Sequence, residues 1–280
     1  MPPRRSLGLW IILGIFFLAL LVRMLSFSNP LRHWIRESRV QRTASAHYEV
    51  VYPAGAIREQ GLQQFLSQRE SLFVTLNERL GGKASGTRLR IIFDPEFSPR
   101  ISEPGATEFY SVDGLTIRAR QNASAPVLDS AADGEAMLTA AWGKPGNPLI
   151  AHWTAVWLVG EWRGHDLGMS AAEVQQKLGH TTLLNLLEQP SGNSPTGDHA
   201  MLGAAWLSEV AELAGPAQVR KLYSAPLTRL DLAQVAQVLG TSPPELERGW
   251  QLWLDAYIAG MPAASHSATM PMRMPMPTGH

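Results

Sequence analysis

The chain contains no cysteine. Disulfides, thiolate metal sites and cysteine nucleophiles are therefore excluded, while the compartment stays open, because a cysteine-free protein folds on either side of a membrane. Net charge is absent as well: 24 basic and 24 acidic side chains cancel. The basic excess of a nucleic-acid binder is missing, and no nucleic-acid partner is expected. No G-x-S-x-G, no phosphate-binding loop and no glycine-rich dinucleotide fingerprint occurs, which removes serine chemistry of the α/β-hydrolase type and the common nucleotide folds. The sequence is 45% hydrophobic and 17% charged, a balance that suits a folded globular chain rather than a disordered one. Once an apolar N-terminal run and two flexible ends are set aside, about 210 residues remain, enough for one sizeable core or two small ones.

The longest apolar run is Ser6 to Val22, with Arg4 and Arg5 before it and Arg23 after it. At about 1.5 Å per residue it is slightly short for a hydrocarbon core of roughly 30 Å, and a snorkelling Arg23 extends it toward Pro30. The expectation is a single-pass protein with a transmembrane signal anchor over residues 6–27 and a short cytoplasmic end over 1–5. The rival is a cleaved signal peptide, against which stand the length of the run and the lack of a nearby small-x-small site; Ala44-Ser45-Ala46 lies too far downstream. Residues 28–46 carry Arg32, Arg36, Arg39 and Arg42 around Trp34 and Ile35, and read as a basic juxtamembrane stalk. Arginines on both flanks leave the orientation open by charge alone.

Downstream the pattern alternates between strand and helix, then becomes helical. His47 to Pro53 is rich in β-branched and aromatic residues and reads as a strand. Between Gly55 and Leu80, apolar residues recur at helical spacing until Gly81-Gly82 stops them. Arg88 to Phe93 reads as a second strand, and 109–112 with 115–119 flank Asp113-Gly114 as a tight hairpin. From Asp129 the periodicity predicts helices over 129–142, 149–162, 178–187, 201–213 and 245–257, with a further helix started by Ser170 and Glu173 as a capping box. The fold class is therefore α+β: a small N-terminal sheet with one long helix (47–126), then a mainly helical half (127–258). Residues 259–280 form a low-complexity tail rich in Met and Pro, in which His266, His280 and the methionines are candidate copper(I) ligands set against a plain unstructured tail.

Two stretches carry a resemblance. Ala205-Trp206-Leu207-Ser208-Glu209-Val210-Ala211-Glu212 is similar to a W-L-S-E-G-x-A-E helix, and Leu239 to Glu247 followed by Trp250 and Trp253 is similar to a G-x-S-x-x-E-L…W closing segment. With the order of elements, these resemble the gluzincin metallopeptidase domains called peptidase MA-like, over residues 47–258. The resemblance implies a bacterial, extracytoplasmic domain. It also implies a zinc site built from H-E-x-x-H on one helix and the glutamate of W-L-S-E-G on another.

The helix matching H-E-x-x-H reads His152-Trp153-Thr154-Ala155-Val156. The first histidine and the third ligand, Glu209, are retained. Trp153 stands at the general base and Val156 at the second histidine. Tryptophan cannot take a proton from metal-bound water, and two ligands hold zinc weakly. His165, His180 and His199 are the substitute imidazoles, with His199 the best placed, so the residual metal candidates are His152, Glu209 and His199. The bland reading of His152 is a partly buried imidazole bonded to Glu209. Trp153, Val156, Trp206 and Glu212 are candidate lining of a former cleft, and the tryptophans are otherwise core residues. No catalytic residue and no cofactor is assigned. The expected function is that of an inactive peptidase-like binding or assembly module held at the membrane, whose partner is a peptide or an envelope protein. The alternatives are an active zinc metallopeptidase with a divergent ligand set and a purely structural membrane scaffold.

Overall fold

The computed structural model describes residues 40–95, 97, 110–120, 126, 128–162, 165–178, 181–188, 196–228 and 230–260. Its architecture is α+β, as the alternation of periods predicts: a five-stranded sheet near the N-terminal side, followed by a helical half.

Strand β1 (Val40–Ala44) lies in what reads as the stalk, and pairs antiparallel with β2 (Tyr48–Pro53). The turn between them is pinned to the following helix, because Glu70 accepts from the Ser45 hydroxyl and the His47 backbone N–H and lies 2.6 Å from His47 Nδ1. Helix α1 (Glu59–Arg79) buries Leu62, Phe65, Leu66, Phe73 and Leu76, the positions that its three- and four-residue spacing puts on one side. Strand β3 (Leu89–Asp94) then runs parallel to β2. Strands β4 (Tyr110–Asp113) and β5 (Thr116–Arg120) form the hairpin, with β5 parallel to β3 and β4 at the edge. The order across the sheet is β1-β2-β3-β5-β4. Asp113 pairs with Thr116, so the two-residue turn is Gly114-Leu115 rather than Asp113-Gly114. Gly114 takes φ 58° at its first position, where glycine costs least.

Helix α2 (Ser130–Trp142), capped by Asp129, packs on α3 (Pro148–Val159). After the short pair β6 (Glu161–Trp162) and β7 (His165–Asp166) come α4 (Leu167–Leu178), α5 (Leu183–Glu188), α6 (Thr196–Ala214), α7 (Pro216–Ser224), α8 (Leu232–Leu239) and α9 (Pro243–Gly260). Helix α4 starts earlier than a Ser170 cap implies: the Asp166 carboxylate accepts from the N–H groups of Gly168 and Met169, and Ser170 lies inside the helix. Helix α6 contacts α3, α4 and α7, and is the hub of the helical half.

The expectation of a single-pass membrane protein is corrected here. Among the described residues no helix is long and apolar enough to cross a membrane. The longest, α1, α6 and α9, each bury one side and carry charge on another, as Glu59, Glu78 and Arg79 do in α1. The segment 6–27 read as a transmembrane signal anchor, stalk residues 28–39 and tail residues 261–280 lie outside the described residues.

The sheet and the helices meet at a buried ionic link. Asp133 in α2 is fully buried, accepts from Tyr48 Oη at 2.7 Å and pairs with Arg69 Nη1 at 2.6 Å. The second guanidinium nitrogen of Arg69 donates to the Leu128 carbonyl. One residue from each of β2, α1 and α2 is thereby held in a single network.

Candidate functional site

Helix α3 carries the residues at which the sequence points to chemistry, and its start is fixed by Asn147. The Asn147 side-chain oxygen accepts from Leu149 N–H at 2.9 Å and Ile150 N–H at 3.3 Å, Pro148 occupies the first turn, and Asn147 Nδ2 donates to Leu227 O at 2.8 Å. An N-cap of this kind satisfies donors that the helix cannot. The phase of α3 is thus tied to the rest of the chain, and with it the directions of His152, Trp153 and Val156.

His152 points to α2 and the sheet edge. Its Nδ1 lies 2.7 Å from Glu135 Oε1 and 3.3 Å from Tyr110 Oη, and Tyr110 donates to the same carboxylate oxygen at 3.1 Å. The Glu135 carboxylate therefore accepts from Nδ1–H of His152. Burial, reinforced by the carboxylates of Glu135 and Asp129, holds the Tyr110 phenol well above its ordinary pKa. This cluster joins β4, α2 and α3, and neither Glu135 nor Tyr110 stands out in the sequence. The one signal was a pair of acids, Asp133 and Glu135, inside an otherwise apolar helical segment. The expected bond from His152 to Glu209 is not formed; Glu135, on the helix packed against α3, is the carboxylate that meets the imidazole.

Trp153 points the other way, into the seam between α3 and α6, and is fully buried. Its indole rests on Gly203: a Cβ built there would fall 2.1 Å from the ring. Trp206 meets it edge-on at 6.3 Å between centroids and His199 lies tilted against it at 5.3 Å. Val156 and Trp206 are as buried as Trp153. Three of the four residues read as cleft lining are thus core, and only Glu212 is exposed. His199 Nε2 donates to Leu186 O at 2.9 Å, and burial lowers its pKa against the opposing effect of that bond, with His152 adding a smaller push downward.

Glu209 faces a third direction. It is buried, its Oε1 would lie 2.6 Å from a Cβ built on Gly249 of α9, and its Oε2 has no hydrogen-bond partner. Burial, with the nearby Glu212 carboxylate, pushes the Glu209 carboxyl up to about 7. Glu212 itself accepts from Trp253 Nε1 at 2.8 Å. Among the described residues no group of three or more His, Asp or Glu side chains is arranged to hold a metal ion. Of the other substitute imidazoles, His180 lies outside the described residues and only the backbone of His165 is described. His152 and Glu209 do not converge on a common point: the Glu209 carboxyl is turned to Gly249 of α9, and the Trp153 indole fills the seam between α3 and α6.

The raised Glu209 pKa has a measurable consequence. Between its ordinary value of 4.5 and about 7 the unfolded chain releases a proton that the folded chain keeps, so stability falls as pH rises through that window and the penalty is complete above it. Glu209→Gln is expected to remove this slope and to raise stability near pH 8 by about 1–2 kcal/mol, the remainder being lost to the amide's own burial. Urea unfolding of both proteins at pH values on either side of the window measures it, and parallel profiles would contradict it.

No protein-family model, no curated protein and no solved structure matches the chain.

Proposed function

We propose that the chain is a non-catalytic, peptidase-like domain that serves as a binding or assembly module. The observation that supports this best is the Trp153 indole seated on Gly203 and fully buried; the sequence resemblance puts Trp153 where an active gluzincin has its general base. A buried indole offers no base to an attacking water, and its N–H is a donor only. Deprotonation of a zinc-bound water needs an acceptor within hydrogen-bond reach of an open metal position. Residues 152–156 supply neither. The contacts of such a module are made by exposed surface, since Trp153, Val156 and Trp206 are beyond a partner's reach.

Incubation of the full chain with a fluorogenic casein digest, with zinc or with a chelator, tests the reading. The expected result is no chelator-sensitive hydrolysis, and no difference between the chain and His152→Ala. Hydrolysis abolished both by the chelator and by His152→Ala would establish the divergent metallopeptidase instead.

A further inference from the structure

Where the end of α6 meets the middle of α9, an apolar strip lies open. Leu213 of α6 and Leu252 of α9 are 71% and 63% exposed, the two most exposed large hydrophobic side chains among the described residues. They adjoin each other. A Cβ built on Gly249 would lie 4.0 Å from Leu213 Cδ1, and Leu252 follows Gly249 by three residues on the same side of α9. The exposed Ala256 continues the strip one turn further toward Gly260. Single exposed leucines are ordinary on a protein surface, but two that meet across a helix–helix seam form a contiguous patch. Glu212, next to Leu213, and Asp255, one turn from Leu252, are exposed carboxylates, and neither forms an ion pair with a described residue. Glu212 instead accepts from Trp253 Nε1. Arg248, one turn before Leu252, interacts with Glu245. The strip is thus apolar at its centre, with two carboxylates at its margin.

Position and charge select the occupant. Residues 189–195 lead into the start of α6, and Leu213 stands about 26 Å along that helix from Thr196. Residues 98–109 leave and re-enter the sheet, and carry two glutamates against one arginine, which the carboxylates at the margin repel. Residues 261–280 continue directly from α9. Leu252 lies about 12 Å back along α9 from Gly260, and the chain from Gly260 to Met270 spans up to about 33 Å, so length remains for a turn. This segment carries Arg273, no acid, and Met270, Met272, Met274 and Met276. Unbranched thioether side chains fit irregular apolar surfaces. Covalent attachment gives the segment an effective concentration of about a millimolar at the strip, so that even a weak apolar contact is occupied.

We propose that residues 261–280 fold back on the α6–α9 seam, with the methionines of 270–276 on Leu213, Leu252 and Ala256, and Arg273 against Glu212 and Asp255. The proposal goes beyond the non-catalytic reading and does not depend on it, since a metal between α3 and α6 would leave this strip unchanged.

The test places nitroxides on Ala217→Cys and Met274→Cys of the full chain and measures their separation by pulsed electron–electron double resonance. The chain has no cysteine of its own, so the labels sit nowhere else, and Ala217 is exposed at the start of α7, outside the strip. A free chain running roughly fourteen residues beyond Gly260 has an r.m.s. reach of about 20 Å and gives a broad distribution. A narrow distribution is expected instead, widened at least about twofold by Leu213→Ser/Leu252→Ser, which frees the segment to sample that range. Both leucines are exposed, so serine at these positions leaves the core intact. A broad distribution in the full chain, or one that Leu213→Ser/Leu252→Ser leaves unchanged, overturns the proposal. Dipolar coupling in a chain labelled at Met274→Cys alone assigns the strip to a second copy. A narrow distance from Phe16→Cys in place of Met274→Cys assigns it to the apolar N-terminal run. Either result overturns the proposal as well.

Discussion

Gly203→Ala is expected to destabilise the protein by about 2–3 kcal/mol, and to cost almost nothing once Trp153 has been replaced by alanine. The added methyl would fall 2.1 Å from the indole ring of Trp153, well inside contact distance, and the ring is flanked by Trp206 and His199, so it has little room to retreat. Trp153→Ala alone is expected to cost about 3–5 kcal/mol through the cavity it leaves. In that background the methyl of Gly203→Ala enters space that the indole has vacated. Urea unfolding of the wild type, both single variants and the double variant measures the coupling. Additive effects would mean that the indole does not sit on Gly203, and the account of the α3–α6 seam would fail with it.

The second large effect concerns the link between sheet and helices. Asp133→Ala is expected to cost about 3–5 kcal/mol, because Arg69 is left as a buried charge without its counter-ion and Tyr48 Oη loses its acceptor. Replacing both partners, Arg69→Met with Asp133→Leu, is expected to recover a large part of the loss, since apolar residues of similar volume often replace a buried ion pair at little cost. The recovery is incomplete because the Tyr48 hydroxyl remains unpaired. If the double variant is as unstable as the sum of the single ones, the pair is not the unit that Arg69 and Asp133 form here.

These two networks mark the boundary of what the sequence discloses. Strand β2, helix α1, strand β3 and the β4–β5 hairpin are legible because each has a local signal: β-branched and aromatic residues in 48–53, alternation in 89–94, three-four spacing in 59–79 and a tight-turn dipeptide at Asp113-Gly114. His152, Trp153 and Glu209 are picked out for the same reason, since the motifs they are compared with are local spacings. Their partners are not. Glu135 meets His152 because α2 and α3 pack together, and no spacing within either helix says which side chains face across the seam. Glu209 reads as a ligand aimed at His152, but its oxygen is turned to Gly249, forty residues further along the chain. Strand β1 was hidden for a different reason: Val40 to Ala44 is a short edge strand with two exposed polar side chains, and its composition resembles the basic stretch before it. The hairpin turn shifted by one position because Asp-Gly fits the first two-residue turn, and the strand register, set by Ile117 facing Ile91, chose the next one.

The Trp153 indole packs the seam between α3 and α6, and no zinc is expected to bind there. The most direct test of this central claim is the unfolding of the full chain in saturating zinc and in chelator, repeated with His152→Ala and Glu209→Ala. A metal bound to the folded state alone raises stability by mass action, so the readout is the difference between the two media rather than the stability of any variant. Superimposable transitions in zinc and chelator, for all three proteins, are predicted. A midpoint that rises with zinc in the wild type, and ceases to rise in either variant, would contradict the account.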